Sequence, residues 1–238
     1  MDNIYIPSYN RFDLVRTYEY LGCGHIVVPE SQEKKYKKRY GSAVISIPDN
    51  KDGFVAKKRN AVIDIIKEKE PDGYGWLCDD DFICLKRKKE RQKMSREECL
   101  EHFERLYIMA KDMGAKYGGF DYSEDNMKLK DFAPFSLTKV SFGLILLNVN
   151  DNLKYDEKLL VNEDYDFFLQ KINKSRRVIK DNQFVSCFYG EDGGKDSVIQ
   201  YDRSDQRKYA TMINKKWGFN TMNWNKTKFE FKHKISGA

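Results

Sequence analysis

The 238-residue chain predicts an α/β fold in which a mostly parallel central sheet is flanked by helices. Short β-rich runs alternate with helical patterns through the first part of the chain, as strand–helix–strand units require. Farther on, Ser95-Arg-Glu-Glu98 has the form of a capping box, and Leu100, Phe103, Leu106, Tyr107, Ala110 and Met113 then share one helical face before Gly114.

Taken in order, Ile4 to Pro7, His25 to Val28 and Ala43 to Ile47 read as strands, with helical segments between them. A helix starting near Ser31, with that serine as N-cap, ends by Gly41. Another runs from about Phe54 to Glu68, buries Val62, Ile63 and Ile66, and stops before Pro71. Tyr74 to Cys78 is a buried strand. From Gly118-Gly119-Phe120 to Phe135 the chain is polar and turn-rich and reads as a loop over the site. Thr138 to Val149 is a β run broken at Gly143, and Gln183 to Phe188 a shorter one. The length suits a single domain over residues 1–200 with a basic, aromatic segment over 201–238.

Charged residues make up 34% of the chain and aromatics 14%, which argues against disorder; the net charge of +6 permits a polyanionic partner without requiring one. The five scattered cysteines form no Cys-x-x-Cys pair, which argues for reduced thiols and against a zinc site. No stretch approaches the length of a membrane span, so a soluble cytoplasmic protein without a membrane partner is expected.

Asp79, Asp80 and Asp81 follow directly on the buried strand. Like charges side by side repel, so such a triplet is explained either by a solvated turn or by a cation. In an open parallel sheet, ligands bind at the carboxyl ends of the strands. Pro7-Ser-Tyr-Asn-Arg11, Pro29-Glu30 and the aspartates all fall there, which favours the cation. Hard carboxylate oxygens suit Mg²⁺ or Mn²⁺, ions that take one or two protein carboxylates plus substrate phosphates.

The Ile-Tyr-Ile-Pro-Ser-Tyr-Asn opening, the Lys-Lys-Arg59-Asn60 run, the aspartate triplet and Asn162-Glu163-Asp164 together resemble nucleotide-sugar glycosyltransferases of the GT-A fold, over roughly residues 1–200. The resemblance implies a nucleotide-sugar donor, a UDP-sugar by preference, bound by Pro7, Ser8, Tyr9, Arg11, Glu30, Arg59, Asn60 and Asp80. It further implies a divalent ion on Asp79 and Asp81, and Asp164, aided by Glu163, as the base of an inverting transfer. Asn162-Glu-Asp also reads as a helix cap. Gly143 falls where the family has an acceptor loop, although a strand bulge explains it equally. The histidine that many metal-dependent members carry after the acidic pair is missing between Gln183 and Gly194; His233 or Asp192 are the substitutes within the chain.

The chain is also similar to phage enzymes of the TET-associated glycosyltransferase type, which implies 5-hydroxymethylcytosine in DNA as acceptor and the host cytoplasm as location. Seven basic residues and one acidic between Lys86 and Arg96, with Arg176-Arg177, suit a DNA backbone, Lys86, Arg87, Arg176 and Arg177 being the candidate contacts; a solvated helix face is the plainer reading. Between Lys215 and Lys234 six lysines and one glutamate interleave with Trp217, Phe219, Trp224, Phe229 and Phe231, for stacking on bases or for packing on the core. A glycan acceptor, and a non-catalytic nucleic-acid-binding protein, are the alternatives. Oligomeric state is not encoded in any pattern seen.

Overall fold

The computed structural model describes residues 1–122, 133–139, 141–189, 203–218, 221–224 and 229–231, the last stretch, 203 and 224 by backbone alone. Its strands are β1 (Ile4–Pro7), β2 (His25–Pro29), β3 (Val44–Ile47), β4 (Tyr74–Cys78), β5 (Phe82–Arg87), β6 (Gln92–Lys93), β7 (Tyr117–Asp121), β8 (Phe135–Ser136), β9 (Leu144–Asn148), β10 (Val178–Phe188), β11 (Met222–Trp224) and β12 (Phe229–Phe231). Its helices are α1 (Arg16–Leu21), α2 (Glu30–Tyr40), α3 (Val55–Lys69), α4 (Arg96–Met113), α5 (Glu163–Ser175) and α6 (Arg203–Trp217).

The main sheet has the order β3-β2-β1-β4-β9-β7-β10-β5-β6. Strands β1 to β4 are mutually parallel, as are β7 and β10, while β9 and β5 run the other way. The chain moves outward from β1 to β3 and then returns to place β4 on the other side of β1. The sheet's switch point therefore lies between the ends of β1 and β4, where ligands bind in such sheets.

One apolar layer lies on each face. On one side Trp76 stacks on Phe103 of α4 at 4.6 Å between ring centroids; on the other, Leu77, Ile145 and Leu147 meet Val62 and Ile66 of α3 and Phe167 and Phe168 of α5. The capping box at Ser95 forms in full, the serine accepting the Glu98 N–H and Glu98 accepting the Ser95 N–H. Helix α2 opens at Glu30, one residue before Ser31, with Pro29 in the cap position. The cap is supplied from a distance: Asp49, after β3, accepts the Ser31 N–H at 3.0 Å.

Three expectations for the chain beyond the aspartates are corrected. Gly118-Gly119-Phe120 belongs to β7, a fully buried strand, rather than to a loop; a Cβ at Gly119 would stand 2.5 Å from the Ser141 Cβ, so close approach, not a turn, calls for glycine there. The run from Thr138 contributes only Leu144–Asn148 to the sheet, Gly143 standing at positive φ just before it. The basic stretch after the aspartates forms the β5–β6 hairpin, not a helix face, because Cys84, Leu85 and Lys88 are buried beside β10.

Helix α6 packs Tyr209, Ala210 and Ile213 against Leu159, Val161 and Leu169, and Trp217 donates its indole N–H to the buried Asp166 of α5 at 3.0 Å. Phe219 lies outside the described residues, as do the side chains of Trp224, Phe229 and Phe231. Among the described residues no helix is long and apolar enough to cross a membrane, and all five cysteines are free thiols.

His102 sits on α4 with its ring 4.0 Å from that of Phe184 and its Nδ1 buried without a partner. Burial, with Arg105 and Arg87 nearby, pushes the imidazole down to about 4. The unfolded chain takes up this proton near the ordinary value of about 6.5, so the neutral ring's contribution is complete above that pH and is lost as pH falls toward 4. His102→Gln is expected to flatten the fall in Tm between those limits; an unchanged slope in a thermal-melt series would refute it.

Candidate active site

The end of β4 turns through Asp79, Asp80 and Asp81 into β5, and every carbonyl of the triplet is held. Thr17 of α1 donates its hydroxyl to Asp79 O at 2.5 Å and its N–H to Asp80 O at 3.2 Å, while the Tyr189 N–H reaches Asp81 O at 2.9 Å. The Asp79 N–H bonds to Gly143 O at 2.7 Å. The triplet is thus a braced turn, and the bracing aims its three carboxylates differently.

Asp80 points inward. Its carboxylate accepts from Ser8 Oγ at 2.7 Å and Arg11 Nη1 at 2.5 Å, and Ser8 Oγ also bonds the Tyr36 hydroxyl at 2.9 Å. Ser8, Arg11 and Asp80, expected to touch the nucleotide, lock the exit of β1 to that of β4. Burial raises the Asp80 carboxyl, Arg11 pulling it back. Lys58, within what reads as an exposed Lys-Lys-Arg run, is buried; its amine donates to Ser8 O at 2.8 Å and pairs with Asp52 at 2.7 Å. Its burial pushes its pKa down, against the pull of Asp52.

Asp79 points toward Arg59, and Arg59 gathers the site. Its guanidinium, with the side chain only 5% exposed, donates to both Asp79 oxygens at 2.9 and 3.2 Å, to Glu163 at 3.1 Å, and to Asp164. A single cation thus ties the end of β4 to the first turn of α5. Burial would lower the Arg59 pKa, but Asp164 and Asp79 more than offset it and hold the guanidinium charged. Burial raises Glu163, reinforced by Asp164, and raises Asp164, reinforced by Asp79, with Arg59 opposing in both. Glu163 and Asp164 thus crowd two acidic groups, both raised by burial, against one guanidinium. Asn162 holds the N-cap position at φ +63° without a side-chain cap bond; the expected cap is made by backbone alone.

Asp81 lies at the rim, 3.8 Å from Arg11. Burial, Asp79 and Asp80 push its carboxyl up to about 7. Among the described residues no three His, Cys, Asp or Glu side chains form a set able to hold a metal ion alone. Asp79 and Asp81 fit the smaller demand of Mg²⁺ or Mn²⁺, which complete their shells with phosphates and water. Both carboxylates are partly exposed, a carboxylate has lone pairs beyond those that Arg59 uses, and a divalent charge would relieve the repulsion that lifts Asp81. His233 and Asp192 lie outside the described residues.

Beside this cluster an open cleft of about 740 Å³ is lined by Tyr9, Pro29, Ser31, Asp49, Asp52, Gly53, Phe54 and Leu160. Tyr9 is the expected residue among them. The 49–54 stretch escaped notice, although the Pro-Asp-Asn-Lys-Asp-Gly run at the exit of a third parallel strand is a usable signal. Pro7 ends β1 and Glu30 begins α2 on the surface, next to the cleft's Pro29 and Ser31.

Three sets of expected residues are placed apart from the aspartate cluster or are occupied by protein partners. The Asn60 amide donates to Tyr155 O at 3.0 Å and Glu157 at 2.9 Å and accepts the Tyr155 N–H at 2.8 Å, so it pins the 155–157 loop. Arg176 and Arg177 follow the far end of α5, a 13-residue helix, about 20 Å from Asp164 at 1.5 Å per residue. Lys86 and Arg87 pair with Val185 and Phe184 while Phe82 pairs with Phe188, so β5 carries them about 13 Å or more from the triplet; Arg87 is bound to Glu98 at 3.0 Å. Gly143, by contrast, is at the site through its bond to Asp79.

A family model described as TET-associated glycosyltransferase matches residues 3–187. The crystal structure of S. aureus TarS is similar with a TM-score of 0.53 and 13% identity over 91% of this chain, a likeness of fold. The structure of S. aureus TarS 1-349 in complex with UDP matches with a TM-score of 0.48 and 12% identity, covering 92% of this chain and 72% of that one. The chain spans 39% of the TarS chain and 59% of another TarS 1-349 chain. No curated protein matches it.

Proposed function

Because the chain belongs to the TET-associated glycosyltransferase family, we propose that it transfers a sugar, with inversion, from a nucleotide-sugar donor to the hydroxyl of 5-hydroxymethylcytosine in DNA. The observation that carries this reading is the Arg59 bridge, which sets the Asp79 carboxylate and the Asp164 carboxylate against one guanidinium. A leaving-group site and a proton acceptor are thereby held at a fixed separation.

The cleft at the ends of β1 to β3 receives the nucleoside, with Tyr9 and Leu160 as its apolar walls. The diphosphate lies toward the aspartates, next to the cations Lys58 and Arg59. Asp79 and Asp81 would hold a Mg²⁺ or Mn²⁺ ion, which when bound would supply Lewis-acid stabilisation of the departing diphosphate. Asp164 takes the proton of the acceptor hydroxyl as that oxygen bonds to the sugar's anomeric carbon, and the carbon–phosphate-oxygen bond breaks on the opposite face. A carboxyl raised by burial is better matched to that proton than a solvated one. Glu163 lies in the same cluster, bound to the same Arg59 guanidinium.

Incubation with Mn²⁺ and a panel of nucleotide sugars, with release of nucleoside diphosphate and mass spectrometry of nucleosides from hydroxymethylcytosine DNA, tests the reading. No diphosphate release with any donor would overturn the activity; release with unchanged nucleosides would overturn the acceptor. Asp81→Asn is expected to weaken Mn²⁺-dependent nucleotide binding roughly tenfold or more, read by calorimetry with and without the metal. Equal affinity with and without Mn²⁺ in the unmodified protein would remove Asp79 and Asp81 from this role.

A further inference from the structure

Three aromatic rings continue from the proposed base to the surface. Tyr165 follows Asp164 directly, and its ring meets that of Phe142 at 4.9 Å between centroids and 73°. Phe142 in turn meets Tyr122 at 4.8 Å and 71°. Phe142 also precedes Gly143, whose carbonyl holds the Asp79 N–H, so the row is tied to the site at two points. Its outer member, Tyr122, is 48% exposed, which is unusual for so large a ring beside a packed strand.

What lies behind the row selects its occupant. The Lys180 amine stands 5.2 Å from the centroid of the Tyr122 ring. Among the described residues, Lys180 and Lys88 both pair with the Asp121 carboxylate, at 2.7 and 2.6 Å, in a buried cluster. A cation on one face of a ring draws π density toward itself. The opposite face then holds electron-rich planar rings well and the C–H bonds of a sugar poorly. The chain's net charge of +6 also suits a polyanion better than a neutral glycan.

We propose that Tyr122, Phe142 and Tyr165 form the acceptor platform, on which a nucleobase of the polynucleotide stacks beside Asp164. The proposal rests on the transfer to DNA set out above and names the residues that receive the base. Base–aromatic stacking is sequence-tolerant, and losing one stack weakens binding roughly five- to 150-fold.

The test uses the full chain with a hydroxymethylcytosine oligonucleotide and, in parallel, an oligosaccharide acceptor. Tyr122→Ala and Tyr122→Leu are expected to raise the KM for the oligonucleotide roughly tenfold with kcat at saturation retained, and Tyr122→Phe to restore the KM. Leucine keeps the apolar bulk without the ring, so it separates stacking from simple cover. Unchanged KM in both the alanine and leucine variants, with the unmodified protein active on DNA, would refute the platform and leave the transferase reading standing. An unmodified protein that glycosylates the oligosaccharide and not the oligonucleotide would overturn platform and DNA acceptor together.

Discussion

Asp164→Asn is expected to lower the rate of transfer by roughly 10²- to 10⁴-fold, the usual worth of a positioned general base, while nucleotide affinity stays as it was. Asparagine is nearly isosteric, and its amide oxygen can still accept from Arg59. What it loses is the ability to take the acceptor proton. Single-turnover transfer and nucleotide calorimetry on the same preparation separate the two quantities; transfer at the original rate would place the base elsewhere. The variant also removes one of three crowded negative charges. Glu163 then loses the neighbour that helps to raise it, so its pKa falls toward the ordinary range. A raised carboxyl makes the folded state bind more protons than the unfolded one, and stability declines as pH rises through that window. Asp164→Asn is therefore expected to hold its Tm better than the original above neutral pH.

Arg59→Met has the largest expected effect on stability. Removing one partner from a buried ion cluster costs about 3–5 kcal/mol, a large share of the 5–15 kcal/mol that holds a typical domain folded. Here the cost falls on three carboxylates at once, which lose the one guanidinium that they share among the described residues. Glu163 and Asp164, already raised by burial, lose the cation that opposes the rise, so the deficit is smallest at acid pH and grows as pH increases. Denaturation melts across pH should show the variant approaching the original on the acid side. Arg59→Lys keeps the charge but not the fork, and cannot reach Asp79 and Asp164 together; it is expected to recover part of the stability and little of the transfer. A melt of Arg59→Met that matches the original at alkaline pH would contradict the bridge.

The parallel half of the fold was legible because local signals and tertiary structure agree there: strands end in Pro, Asp or Gly runs, and α3 carries its apolar residues at helical spacing. The second half was harder. Gly118-Gly119 has the composition of a turn, yet packs against Ser141 and Leu144, which only the assembled sheet reveals. The basic run after Asp81 hides a hairpin because Lys88 is buried by a partner, Asp121, that lies 33 residues onward. At the site, the aspartate triplet and Asn162-Glu-Asp stood out as compact acidic motifs. Arg59 stood out as a candidate for the donor diphosphate; its role as the joint was not visible, because it depends on carboxylates up to 105 residues away. The rings of Tyr122, Phe142 and Tyr165 share no local pattern at all, being drawn from the ends of β7, β9 and α5.

Gly143 shows how narrow the route to this arrangement is. At φ +67° its carbonyl supports Asp79, and a Cβ there would come within 2.5 Å of the Phe188 ring, itself packed on Phe82. Every single-codon departure from glycine adds that atom before any new side chain can confer a benefit. In the mutational landscape of this chain, position 143 is a dead end: through Asp79 and Phe188 alone, a substitution there would screen as though it had struck the site itself.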